Sequence, residues 1–131
     1  MAERRTITEL LAEARARIDR LSPEAALDAV QGGALLVDTR SADLRERDGV
    51  IPGSVHVPLS VLFWRLDPAS GSNDPALSDL ERQVVLVCHH GYSSSLAAST
   101  LRDLGFARVG DVDGGFEAWV VAALPVERAT R

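Results

Sequence analysis

An α/β domain, with a central parallel sheet flanked by helices on both faces, follows from three features of this sequence. The runs Ala34-Leu35-Leu36-Val37 and Val84-Val85-Leu86-Val87 are short, continuous and apolar, as strands buried on both sides must be. Segments with apolar residues at helical spacing lie between them. Turns bearing glycine or proline separate the two kinds of segment. At 131 residues there is room for one domain with a real core, and not for two.

Taken in order, the apolar positions Ile7, Leu10, Leu11, Ala14 and Ile18 predict an amphipathic helix over residues 6–21, with Arg and Glu on its other face. This N-terminal helix, residues 1–20 in domain terms, packs on the domain or serves an oligomer contact. Ser22-Pro23-Glu24 starts a second helix, with serine as cap and proline in the first turn, and Gly32-Gly33 stops it. Ala34 to Asp38 is a strand that ends in Asp38-Thr39-Arg40, and Ser41 or Asp43 begins a short helix after it. Gly49 to Gly53 is turn chemistry, Ser54 to Val57 a short strand, and Leu59 to Leu66 a short helix or turn holding Phe63-Trp64. Asp67 to Asp79, rich in Pro, Ser, Gly and Asp, is a surface loop. Val84 to Val87 is a strand, and the helix after it is capped by Ser94-Ser95 and runs through Leu104. Val109 to Val112 is the last strand, and Phe116 to Ala123 the last helix, ending before Pro125.

Composition excludes several classes. Apolar content of 46% and charged content of 25% are ordinary for a globular protein. A net charge of −5 gives no drive toward nucleic acid or anionic membrane. Every one of the 14 basic residues is Arg, which removes lysine Schiff-base chemistry. A single cysteine excludes an internal disulfide, a Cys-rich zinc site and a C-x-x-C pair. With no signal peptide or membrane span in view, the expected location is cytoplasmic.

That one cysteine, Cys88, stands at the end of the Val84–Val87 strand. Strand, tight loop and helix N-terminus together aim backbone N–H groups at one point and favour an anion there, a thiolate included. A lowered thiol pKa and a nucleophilic sulfur follow; a plain core cysteine is the competing reading. Asp38-Thr39-Arg40 ends a second strand. Ligand sites of open α/β sheets lie at such carboxyl ends, so two strands point to one place.

Four motifs then resemble the single-domain rhodanese (sulfurtransferase) family: Val37-Asp38-Thr39-Arg40, Gly49-Val50-Ile51-Pro52-Gly53-Ser54, Cys88-His89-His90-Gly91-Tyr92-Ser93-Ser94, and Gly114-Gly115-Phe116-Glu117-Ala118-Trp119. With the four in this order and spacing, the resemblance implies a rhodanese-like domain over residues 21–126. The resemblance implies that Cys88 takes up a sulfane sulfur as a persulfide and hands it to a thiol acceptor, small or protein. The donor would be a small anion or another persulfide. His89, His90, Gly91, Tyr92, Ser93 and Ser94 would form the substrate-binding loop, braced by Asp38 and Arg40. The chain departs from the family pattern at Ser93, where an arginine is usual, and at Val50, where a histidine is usual. Ser93 to Ser95, the two histidines, or Arg65 reaching across the mouth of the site stand as substitutes for that arginine. His89 and His90 are adjacent, with no carboxylate at ligand spacing, so no metal is expected, and no cofactor. His56 and Trp119 read as structural, and Trp64 as packing. A non-catalytic sensing or partner-binding module is one alternative. A phosphatase or arsenate reductase is another, although such relatives use a longer loop that carries the arginine. No nucleic acid or membrane partner is implied, and monomer and homodimer both remain open.

Overall fold

The computed structural model describes residues 3–130. Eleven elements are present among them: α1 (Ile7–Ala16), β1 (Asp19–Leu21), α2 (Pro23–Gln31), β2 (Leu35–Asp38), α3 (Ala42–Asp48), β3 (Val55–His56), α4 (Leu62–Leu66), β4 (Val84–Val87), α5 (Ser93–Asp103), β5 (Val109–Val112) and α6 (Gly115–Val121). The five strands form one parallel sheet in the order β1-β5-β4-β2-β3.

Strand pleat explains the continuous apolar runs. Leu35, Val37, Val84, Leu86 and Val109 turn to one face and pack with Leu62, Leu66, Ala97, Leu101 and Phe106 from α4, α5 and the turn after it. Leu36, Val85, Val87 and Val112 turn to the other face, against Ala26, Phe116 and Trp119 from α2 and α6. Alternate residues thus serve two cores, so no position in β2 or β4 is free to be polar until each strand ends.

The helix starts are read well from local chemistry. The Ser22 hydroxyl accepts from Ala25 N at 3.1 Å, with Pro23 at the first position, and the Ser41 hydroxyl accepts from Leu44 N at 3.3 Å. Thr6 and Glu9 form a reciprocal capping box at α1.

Two expectations are corrected. The N-terminal helix stops at Ala16, not Leu21. Ile18 packs against the sheet core, and Asp19, Arg20 and Leu21 pair with Gly110, Asp111 and Val112 as an edge strand. Helical spacing continues through these residues, but hydrogen bonding to β5 wins. The apolar stripe of α1 is also only partly covered: Ala14 is buried, whereas Ile7 and Leu10 are exposed. Polar contacts to α5 join that packing just after α1, with Arg17 donating to Ser99 Oγ at 2.9 Å and pairing with Asp103. The second correction concerns Ser94 and Ser95. Neither caps α5, which begins at Ser93 without a side-chain cap; both are buried inside its first turn.

Candidate active site

β2 and β4 are neighbours paired Asp38 to Val87, so Asp38 and Cys88 lie together at the carboxyl end of the sheet. Cys88 is 6% exposed. Its Sγ accepts from Gly91 N at 3.1 Å and lies 3.2 Å from Ser94 Oγ. Burial, the largest single influence, pushes the thiol pKa up. Hydrogen bonds from the Ser94 and Ser93 hydroxyls and from the Ser94 and Gly91 N–H groups outweigh it and hold the pKa below the ordinary thiol value.

The loop owes this shape to the chain behind it. Phe116 N donates to Cys88 O at 2.7 Å and Glu117 N to His89 O at 3.1 Å, so the start of α6 is hydrogen-bonded to the loop backbone. Gly91 and Gly115, both at positive φ, meet so closely that a Cβ on Gly115 would sit 2.7 Å from Gly91 N and 2.5 Å from Cys88 O. Only glycine fits there. On the outer side Gly91 O accepts from two guanidinium groups, Arg15 Nη2 at 2.8 Å and Arg20 Nη2 at 2.9 Å.

Beneath the loop lies Asp111, fully buried in β5. Its Oδ2 accepts from both Ser94 and Ser95 hydroxyls at 2.7 Å, and its Oδ1 from Arg20 Nε at 3.1 Å. Asp111, Arg15 and Arg20 did not emerge from the sequence as site residues. A signal existed for Asp111 alone: an aspartate inside Val109-Gly110-Asp111-Val112, a strand buried on both sides, must be paired with something.

The sequence-derived residues divide. Gly91, Ser93 and Ser94 contact Cys88. His89 is part-buried, with Nδ1 buried and without a hydrogen-bond partner among the described residues. His90 is exposed, its Nδ1 3.0 Å from Glu117 Oε2. The expectation that no carboxylate joins the histidines is therefore corrected: ligand atoms of His89, His90 and Glu117 all lie within 4.8 Å of one another. Glu117 arrives from α6, and sequence spacing around the histidines could not reveal it. Tyr92 is 62% exposed with the Arg15 guanidinium over its ring.

Arg65 is not brought to the loop. Its Nη1 donates to Ser72 O at 3.0 Å and ties down the 67–79 segment, since α4 points it that way. Asp38 and Arg40 form a buried pair, with Arg40 Nη2 2.8 Å from Asp38 Oδ2 and Nε 3.0 Å from Oδ1. Their contact with the site is indirect: the Arg40 guanidinium lies 3.7 Å over the Phe116 ring, and Phe116 N holds Cys88 O. Val50, at the histidine position of the turn motif, is buried and bridges Glu127 through its backbone. His56 Nε2 is 2.8 Å from Arg40 O, Trp119 is wholly buried, and Trp64 stands 57% exposed instead of packed.

A buried cysteine sulfur thus stands at the end of a central strand, hydrogen-bonded by the loop backbone and closed in by a Gly-Gly helix start. The Rhodanese-like domain family matches residues 22–122. The chain belongs to the rhodanese-like family. Among relatives of this rhodanese-like domain, the thiosulfate sulfurtransferase GlpE of Pseudomonas savastanoi pv. phaseolicola is 42% identical over 100 residues, covering 76% of this chain and 85% of the relative. The Stutzerimonas stutzeri protein of the same name is 37% identical, covering 76% and 83%. Among solved structures, a protein of unknown function from Rhodopseudomonas palustris CGA009, described as a possible tyrosine phosphatase, superposes with a TM-score of 0.87 at 34% identity, over 97% of this chain and 98% of that one. The polysulfide-sulfur transferase homodimer of Wolinella succinogenes gives a TM-score of 0.70 at 26% identity, over 92% and 86%.

Proposed function

We propose that this rhodanese-like domain is a sulfurtransferase that carries sulfane sulfur on Cys88, from a small anionic or persulfide donor to a thiol acceptor. The observation that carries this reading is the Cys88 sulfur itself, buried yet hydrogen-bonded by Gly91 N–H and Ser94 so that its thiolate is favoured. The same ring of donors suits each anion that the reaction places there.

With thiosulfate, the Cys88 thiolate attacks the outer sulfur. A Cys88 S–S bond forms, the donor S–S bond breaks, and sulfite leaves with the bonding electron pair. The resulting terminal persulfide anion is accommodated by the loop N–H groups. In the second half an acceptor thiolate attacks that terminal sulfur. Its S–S bond forms, the Cys88 S–S bond breaks, and the Cys88 thiolate is regenerated with its electron pair. No net oxidation occurs.

The segment that carries α1 and β1 belongs to this working unit, since Arg15 of α1 and Arg20 of β1 both reach the cysteine loop. A lone thiol that must remain reduced suits a cytoplasmic setting, and no described helix is long and apolar enough to cross a membrane. A phosphatase reading fits less well, because Ser93 stands where a bidentate arginine would grip the oxyanion.

Intact-protein mass spectrometry after incubation with thiosulfate, or with glutathione persulfide, tests the reading. Wild type gains one sulfur with at least one donor, and Cys88→Ser gains none. Absence of the adduct on wild type with both donors, or its presence on Cys88→Ser, overturns it.

A further inference from the structure

We propose that Arg20, assisted by Arg15, is a positioning residue of the cysteine site: it neutralises the buried Asp111 and so frees the Ser94 hydroxyl proton to stabilise the Cys88 thiolate. This rests on Cys88 being the sulfur carrier, and it assigns to the N-terminal segment the electrostatic work that the loop, with Ser93 in place of arginine, does not do.

The argument is one of counting protons. Ser94 has a single hydroxyl proton and two neighbours that want it, Asp111 Oδ2 at 2.7 Å and Cys88 Sγ at 3.2 Å. While Cys88 is a thiol there is no conflict, because S–H donates to Ser94 Oγ and Ser94 O–H donates to Asp111. Once the thiol proton leaves, Ser94 can serve the sulfur only by turning its proton away from Asp111. Asp111 tolerates that loss because it keeps the Ser95 hydroxyl at 2.7 Å and Arg20, whose Nε lies 3.1 Å from Oδ1 and Nη2 3.3 Å from Oδ2.

Arg15 completes the arrangement. Ser95 also has one proton and two acceptors in reach, Asp111 Oδ2 and Gly91 O at 3.3 Å. Arg15 Nη2 and Arg20 Nη2 already satisfy Gly91 O, and Arg15 Nε donates to Ser95 Oγ at 3.1 Å, so the Ser95 proton is left for Asp111. Burial alone would lower the Arg20 pKa; the hydrogen bond to Asp111 and the charges of Asp111, Asp113 and Cys88 outweigh it and raise that pKa above its ordinary value.

Without Arg20, Asp111 becomes an uncompensated buried carboxylate that claims both serine protons and sets a second negative charge one hydroxyl away from the sulfur. The other charged or titratable groups around the loop remain in place in such a variant. These are Arg15 from α1, His89, His90 and Tyr92 on the loop, Glu117 from α6, Asp113 after β5, Asp48 from α3, and the Asp38–Arg40 pair behind Phe116. The comparison therefore isolates one charge.

Because Cys88 is the only cysteine, its rate of alkylation can be followed against pH without interference from a second thiol, and the ultraviolet absorbance of its thiolate can be followed beside it, with Cys88→Ser as the blank for tyrosine. For Arg20→Gln the profile moves to higher pH by about one unit, which is about a tenfold loss of thiolate below both midpoints. For Asp111→Asn it moves to lower pH, since the Arg20 charge is then unopposed, and Arg20→Lys stays close to wild type. An Arg20→Gln profile that superimposes on wild type, or one that moves in the same direction as Asp111→Asn, overturns the proposal. Should Arg20→Gln fail to fold, Asp111→Asn decides alone, an upward shift or none refuting it. Alkylation asks for no sulfur donor, so opposed shifts in a protein that forms no persulfide would sink the sulfurtransferase reading and leave this network standing.

Discussion

Gly115→Ala is the substitution whose effect the structure dictates most directly. A Cβ there would lie 2.5 Å from Cys88 O, 2.7 Å from Gly91 N and 2.7 Å from the His89 carbonyl carbon, all backbone atoms, whereas ordinary contact begins near 3.4 Å. No side chain can swing aside, so the loop and the start of α6 must part by about 1 Å. Gly91 N, which donates to Cys88 Sγ at 3.1 Å, is then pushed from its place and that hydrogen bond is distorted. Displacement of this size at a reacting centre costs about 100-fold in rate. The φ of +66° adds about 1–2 kcal/mol of backbone strain for alanine. Gly53→Ala supplies the control: its φ is +81° and nothing lies within 4 Å of the added carbon. Both variants carry similar backbone strain, and only Gly115→Ala meets the loop. Single-turnover sulfur transfer to a thiol, measured per folded molecule and paired with thermal unfolding, should show Gly53→Ala less stable but as fast as wild type, and Gly115→Ala both less stable and about 100-fold slower. A Gly115→Ala protein that transfers sulfur at the wild-type rate would refute the reasoning that α6 shapes the loop.

Two further predictions follow from the charges. Arg40→Ala leaves Asp38, 1% exposed, with one charged partner, Arg45 Nε at 3.2 Å, beside the backbone N–H of residue 40 at 3.0 Å, and removes the bond to Gly49 O, so unfolding stability should fall by about 3–5 kcal/mol in chemical denaturation; a loss below about 1 kcal/mol would contradict the buried pair. The lowered Cys88 pKa also has a sign in stability. An acid whose pKa is depressed on folding adds stability that is full above its unfolded value, about 8.5 for a thiol, and lost as pH falls through the native one. The stability difference between wild type and Cys88→Ser should therefore grow in favour of wild type as pH rises through that window, and a flat difference would argue against a favoured thiolate.

Sequence made the sheet legible where one residue type could satisfy two cores at once. Val84 to Val87 and Leu35 to Val37 had no other sensible reading, and Cys88 stood out because it followed one of them. β1 was hidden because Ile18 continues the helical spacing of α1, and three residues of strand are defined only by a partner, β5, far along the chain. The serines were misread for a related reason. Ser94 and Ser95 are ordinary cap residues until Asp111 is placed beneath them, and that placement is a tertiary fact. Arg15 and Arg20 left no signature beyond the absence of arginine at Ser93, which said that something was missing without saying where it had gone.

The seating of α6 against the cysteine loop has a consequence in time. Domains form as synthesis proceeds from the N-terminus, yet the contacts that shape this loop, Gly115 against Gly91 and Phe116 N on Cys88 O, come from the far end of the chain. Until that helix has emerged and docked, the loop lacks the contacts that shape it, and Cys88 lacks the hydrogen bonds that hold its pKa below the ordinary thiol value.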